Sequence, residues 1–175
     1  MGSTVHLLVI DNRDSFVYNV VELLRSLPEL TFEVIPEGEL ELSSLPEHDG
    51  LILSPGPGVP SEFPRMQALI RAEAGIKPIL GICLGHQALA EHYGATLVQL
   101  PAPRHGHASA LEVIDPADSL VGAIPTGSLV GRYHSWAVDD ASLPTCLVPT
   151  AYCADAGEGR VLMAMRHRTE PVWSV

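Results

Sequence analysis

The chain has 175 residues, 46% of them hydrophobic, enough to bury one substantial core and consistent with one domain. Its formal net charge of −11 argues against a nonspecific nucleic-acid surface, whose phosphates it would repel. No apolar run reaches the roughly 18 residues of a membrane span, and no basic-then-apolar leader opens the chain, so no membrane association is expected.

Met1 to Thr4 resemble an expression remnant or a disordered start more than structure. Val5 to Ile10 is a short apolar run and predicts a strand. Asp11 to Asp14 form a turn, and Phe16, Val17, Val20, Val21, Leu24 and Leu27 then recur at helical spacing. Closely spaced acids after a strand can hold Mg²⁺ or accept a phosphoryl group. Asp and Asn capping the helix that begins near Ser15 is the favoured reading.

Thr31 to Ile35 and Leu51 to Leu53 predict further strands, and Met66 to Ala74 a second helix. Leu51 to Leu53 run into a Gly/Pro-rich loop, Ser54-Pro55-Gly56-Pro57-Gly58. Pro78 to Ile82 predict a strand that enters Gly81-Ile82-Cys83-Leu84-Gly85, followed by a helix. Flanking glycines permit the crowded strand-to-helix turn that presents a nucleophile at the carboxyl edge of a sheet. The positive end of the following helix should favour thiolate at Cys83. The competing reading is a small buried residue at a tight junction. In an open parallel sheet the Gly56 loop and the Cys83 elbow can face one crevice, where the amides of Gly56 and Leu84 can converge on a developing oxyanion.

After Gly94 come short β-rich stretches at 95–100, 108–114, 129–133, 147–152 and 161–166, with Pro171 to Val175 as a last strand. The strand and helix alternation of the first half predicts a single α/β domain with a central, mostly parallel sheet flanked by helices, and antiparallel strands added in the second half. Cysteines 83, 146 and 153 match neither a disulfide framework nor a Cys-x-x-Cys metal site, and reduced thiols in the cytoplasm are the simpler reading. His105 and His107 without a third ligand are a weak metal signal, and no metal site is assigned.

Asp11 to Phe16, Ser54 to Gly58, Gly81 to Gln87, His105 to His107 and Arg132-Tyr133-His134-Ser135-Trp136 fall in the order and spacing of class I glutamine amidotransferases. Within that class the chain resembles the small subunits of anthranilate synthase and aminodeoxychorismate synthase, from Val5 to Val175. The resemblance implies that Cys83 forms a glutamyl thioester and that the amides of Gly56 and Leu84 hold the oxyanion. It also implies that Gly56, Pro57, Gly58, Gln87, Ser135 and Trp136 bind L-glutamine. It departs at Arg13, usually aromatic, at His107, often Lys, and at Trp136, commonly Leu.

Relatives follow the strand at Pro171 to Val175 with His-Pro-Glu, the general base and its orienting carboxylate. The sequence stops at Val175, and truncation ahead of that motif is expected rather than an evolved loss, so the amidotransferase domain is expected over residues 5–175. His86, His134 and His167 are read as satisfied or solvated, and none is assigned the base role. The resemblance further implies ammonia delivery to a chorismate-binding synthase subunit, no cofactor in this chain, and Mg²⁺ in that partner. Ser142 to Ala151 inclines the reading toward aminodeoxychorismate. Two alternatives are a noncatalytic partner-binding subunit and a different cysteine hydrolase built on the same elbow.

Overall fold

The computed structural model describes residues 4–101, 106–155 and 159–175, with backbone only at 107, 154 and 155. Met1 to Ser3 and His105 therefore lie outside the described residues, as does the His107 side chain.

Five strands form the parallel half of the main sheet: β1 (Val5–Asp11), β2 (Leu30–Pro36), β3 (Gly50–Leu53), β4 (Ile79–Gly81) and β11 (Val172–Ser174), in the order β2-β1-β3-β4-β11. An antiparallel half continues from β11 through β10 (Gly159–His167), β9 (Leu147–Asp155), β6 (His107–Val113) and β7 (Leu129–Arg132). A separate ribbon pairs β5 (Leu97–Gln99) with β8 (Trp136–Val138). The expected architecture is present: an α/β domain whose first half is parallel and whose second half adds antiparallel strands.

The period of two along each strand sorts side chains between two layers. Leu8, Ile10, Leu51 and Leu53 enter one core with α2 (Pro64–Glu73) and α3 (Leu84–His92), which supply Met66, Leu69, Ile70, Leu84 and Leu89. Val9 and Ile52, one residue out of phase, pack instead with Val17 and Leu24 of α1 (Val17–Arg25). Helices thus cover both faces of the parallel strands, and each fully buried Leu or Ile contributes about 1.5–3 kcal/mol relative to exposure. A smaller core of Leu111, Val121, Ala151, Cys153 and Ala164 serves the antiparallel half.

Two sequence expectations need correction. Trp136 to Val138 form β8, which periodicity missed because a three-residue strand offers too short a pattern. Asn12 does not cap α1: its side-chain amide donates to the carbonyl of Ser54 at 2.9 Å, and its backbone N–H donates to Ser54 Oγ at 3.0 Å. Asp14 does brace the turn before α1, with Oδ1 accepting from Phe16 N at 2.8 Å, while Asp11 Oδ1 accepts from Arg13 N.

Candidate active site

β4 and α3 are joined through Ile82 and Cys83, and Cys83 takes φ 53° and ψ −101°. That positive φ is costly for a residue with a Cβ, and its surroundings must hold it there. They do so on both sides. The amide of Ile82 donates to Leu53 O at 2.9 Å, and the amide of Cys83 donates to Val175 O at 2.7 Å.

The flanking glycines are needed for close approach rather than for φ. A Cβ on Gly81 would stand 2.6 Å from the Gly85 carbonyl carbon and from Leu89 Cδ1, and a Cβ on Gly85 would stand 2.7 Å from Leu53 Cβ. Helix α3 therefore begins in direct contact with β3 and β4, and its first turn projects from the carboxyl edge of the sheet.

The 54–58 loop meets this elbow. Asn12 and Ser54 are fully buried and bond to each other, tying the end of β1 to the start of the loop. A Cβ on Gly56 would run into the Leu84 side chain and lie 2.8 Å from Asn12 Cβ. Gly56 and Leu84, the two expected oxyanion donors, are thus brought together, and the Leu84 N–H already hydrogen-bonds the Cys83 sulfur. Gly58 needs its positive φ of 67°, and the Glu62 carboxylate lies against it while accepting from Val59 N at 2.9 Å.

The remaining wall comes from the turn before β8. Gln87, on the first turns of α3, is buried and donates through Nε2 to the Trp136 carbonyl at 2.9 Å. Ser135 O accepts from Leu100 N at 2.9 Å. Phe16 and Tyr133, both more than 40% exposed, meet in a tilted ring contact with centroids 5.1 Å apart and planes at 52°, and join the turn after β1 to this wall. Cys83, Gly56, Leu84, Gln87 and the Ser135-Trp136 segment therefore form one neighbourhood at the carboxyl edge of the sheet.

The electrostatics differ from the sequence expectation. Burial pushes the Cys83 thiol above its ordinary range, outweighing the Leu84 N–H, and the nearby Asp14 carboxylate pushes the same way. The helix end alone does not produce a ready thiolate, because a buried sulfur lacks the solvation an anion requires and no cation among the described residues is paired with it.

Neither neighbouring histidine is free to act as a base on Cys83. His86 is buried, its Nδ1 lies 2.8 Å from Ser174 Oγ, and burial followed by the proximity of His134 pushes its pKa down to about 4. His134 Nε2 accepts from Nε of the fully buried Arg132 at 3.0 Å, so its lone pair is occupied. His167 stands at the opposite end of β11 and β10, where Nδ1 accepts from Thr169 N and Glu170 N. Among the described residues, no group of three His, Cys, Asp or Glu could hold a metal ion.

Sequence reading placed Asn12, Ser54 and Arg132 inside the segments that carry the resemblance but gave them no supporting role at the site, and it missed Ser174, whose inward register on a short strand was the local signal available.

Comparison with known proteins adds a family to this geometry. Residues 8–175 match the family described as glutamine amidotransferase class-I. The chain is 39% identical over 168 residues to aminodeoxychorismate synthase component 2 of Serratia marcescens, covering 93% of this chain and 84% of that protein. It is 38% identical over 172 residues to anthranilate synthase component 2 of Lactococcus lactis, covering 97% of this chain and 83% of that protein. The structure of a candidate GMP synthase component from Thermoplasma acidophilum superposes with a TM-score of 0.84 at 24% identity, over 100% of this chain and 84% of that one.

Proposed function

The chain belongs to the class I glutamine amidotransferases, and from that premise we propose that it is the glutaminase component of a chorismate-using synthase. The observation that carries this reading is the strained Cys83 elbow with Leu84 and Gly56 packed beside it.

In the proposed reaction, Cys83 Sγ attacks the side-chain amide carbon of L-glutamine. The carbonyl oxygen gains negative charge and is met by the N–H groups of Leu84 and Gly56. The C–N bond then breaks, ammonia leaves with an added proton, and water hydrolyses the thioester to glutamate. Backbone of Gly56, Pro57 and Gly58 and of Ser135 and Trp136 lines the substrate, while Gln87 holds the Trp136 wall through its 2.9 Å bond.

Each half-reaction moves protons and needs a base. The resemblance puts that base in a His-Pro-Glu segment joined to Val175, and the 2.7 Å bond between Cys83 N and Val175 O supports the assignment, since a segment joined there starts beside the thiol. Residues 5–175 are proposed as one amidotransferase domain.

Ammonia passes to a cytoplasmic partner that binds chorismate and holds Mg²⁺. Between the two products we favour aminodeoxychorismate, on the similarity of Ser142 to Ala151 to small subunits of that enzyme. The raised Cys83 thiol favours a second reading, a noncatalytic subunit that retains the fold for partner binding.

One experiment separates these readings. The full-length protein, with whatever its gene encodes beyond Val175, is mixed with each candidate synthase subunit, glutamine and chorismate, and the aminated product is identified. Glutamine-dependent aminodeoxychorismate that is lost in Cys83→Ser supports the proposal, whereas anthranilate alone reverses the choice of product. Full glutaminase activity in Cys83→Ser removes the thioester mechanism, and no stimulation by either partner removes the synthase assignment.

A further inference from the structure

Holding Cys83 at φ 53° requires acceptors fixed on both sides of the elbow. On one side the Ile82 amide uses the carbonyl of Leu53, which is gripped inside the sheet as part of β3. On the other side the Cys83 amide uses the carbonyl of Val175, one residue past a strand of only three. What fixes the end of β11 therefore bears on the nucleophile.

A buried side-chain pair lies at that end. Successive residues of β11 point to opposite faces, so Val172 and Ser174 face α3 while Val175 packs with the core of the antiparallel half. His86, on the first turn of α3, meets Ser174 with Nδ1 2.8 Å from Oγ. The two are 6% and 1% exposed, and each is the other's one side-chain hydrogen-bond partner among the described residues. Burying two polar groups carries a cost that apolar residues would not, and their mutual bond does little more than offset it. What the pair adds is direction, because the bond forms at one register of α3 against β11 and is lost at others.

We propose that His86 is a positioning residue for the nucleophile: through Ser174 it fixes the end of β11 against the first turn of α3, which holds the Val175 carbonyl where the Cys83 amide needs it. The links run from the ring to Ser174, through one peptide to Val175, and from Val175 back to Cys83, three residues before His86. They close on themselves around the elbow, so the sulfur's place beside the Leu84 and Gly56 amides depends on a side-chain bond at the strand end. Gln87, the next residue, is committed to the opposite wall through the Trp136 carbonyl and does not brace β11. This rests on the glutaminase reading above and assigns it a residue that acts through the backbone.

Amide hydrogen exchange in the full-length protein reads this clamp directly. In Ser174→Ala and in His86→Leu the Cys83 amide should exchange at least about tenfold faster, the scale of one lost buried hydrogen bond, while the Ile82 amide, bonded to Leu53, keeps its rate. A general loss of stability would speed both amides together. His86→Asn places an amide atom where Nδ1 stood and should restore protection at Cys83. In glutamine turnover with the synthase partner, Ser174→Ala should lower kcat at least about tenfold and leave KM within about twofold, since the substrate's contacts come from other walls.

Unchanged Cys83 exchange in Ser174→Ala, or equal acceleration at Ile82 and Cys83, overturns the proposal and leaves the glutaminase reading standing. So does a His86→Asn protein that exchanges as fast as Ser174→Ala, or a raised KM with kcat unchanged. A His86→Leu protein that fails to fold leaves the decision to Ser174→Ala and His86→Asn. If the unsubstituted protein shows no turnover that depends on Cys83, the glutaminase reading falls, and exchange at Cys83 decides the clamp by itself.

Discussion

The Cys83 amide donates to the Val175 carbonyl at 2.7 Å, and the Val175 amide donates to the Gly81 carbonyl at 2.9 Å. The end of β11 is thereby closed onto the elbow. This pairing clamps the strained φ of Cys83 and sets Val175 beside the elbow, so the nucleophile's backbone conformation and the end of the central strand share one pair of backbone bonds.

Thiol reactivity should follow burial rather than the helix end. An acid whose pKa is raised stays protonated at neutral pH, so alkylation of Cys83 by iodoacetamide should be slow at pH 7. It should climb through a midpoint above the ordinary cysteine value of about 8.5. Rates measured from pH 6 to 10 with peptide mapping decide this; a midpoint below 8 would mean that the terminus of α3 dominates.

His86 should make the fold sensitive to acid. Its pKa is pushed down to about 4, so between that value and its ordinary 6.5 the unfolded chain binds a proton that the folded chain does not. Stability is then fully present above pH 6.5, is lost as pH falls toward 4, and levels below it. The loss is about 3 kcal/mol at 1.36 kcal/mol per pH unit. Urea unfolding at pH 7 and pH 4.5 measures it, and His86→Gln should flatten this part of the profile.

The glycines should separate by mechanism. Gly85→Ala forces a methyl group onto Leu53 and should cost roughly 3 kcal/mol or more, since neither β3 nor α3 can retreat. Gly94→Ala meets nothing within 4 Å but must adopt φ 103°, so strain alone should cost about 1 kcal/mol. Equal shifts in denaturation midpoint would contradict this division.

Asn12→Ala should act on stability and on the site together. It leaves the buried Ser54 carbonyl without its 2.9 Å donor, a loss of about 1–3 kcal/mol. It also frees Gly56 to move away from Leu84. Chemical denaturation measures the first effect, and weaker glutamine protection of Cys83 measures the second.

Much of the parallel half was legible because its signals are local. The apolar runs of β1, β3 and β4, the helical spacing of α1, and Gly81 and Gly85 around Cys83 each report a constraint met within a few residues. Asn12 shows where that legibility ends. In sequence it reads as a cap, because a short polar side chain after a strand ordinarily bonds to the next turn. Its partner is Ser54, 42 residues away, and only the pairing of β1 with β3 brings the two together.

The same holds for Cys83, whose spacing and glycines specify an exposed turn ahead of a helix. The sequence by itself determined the family, the order of strands and helices, and which cysteine stands at the elbow. Whether that thiol ionises was decided by tertiary structure, because desolvation depends on every segment packed around the sulfur. Here the Gly56 loop, the end of β11 and Asp14, all distant in sequence, outweigh the helix end beside it.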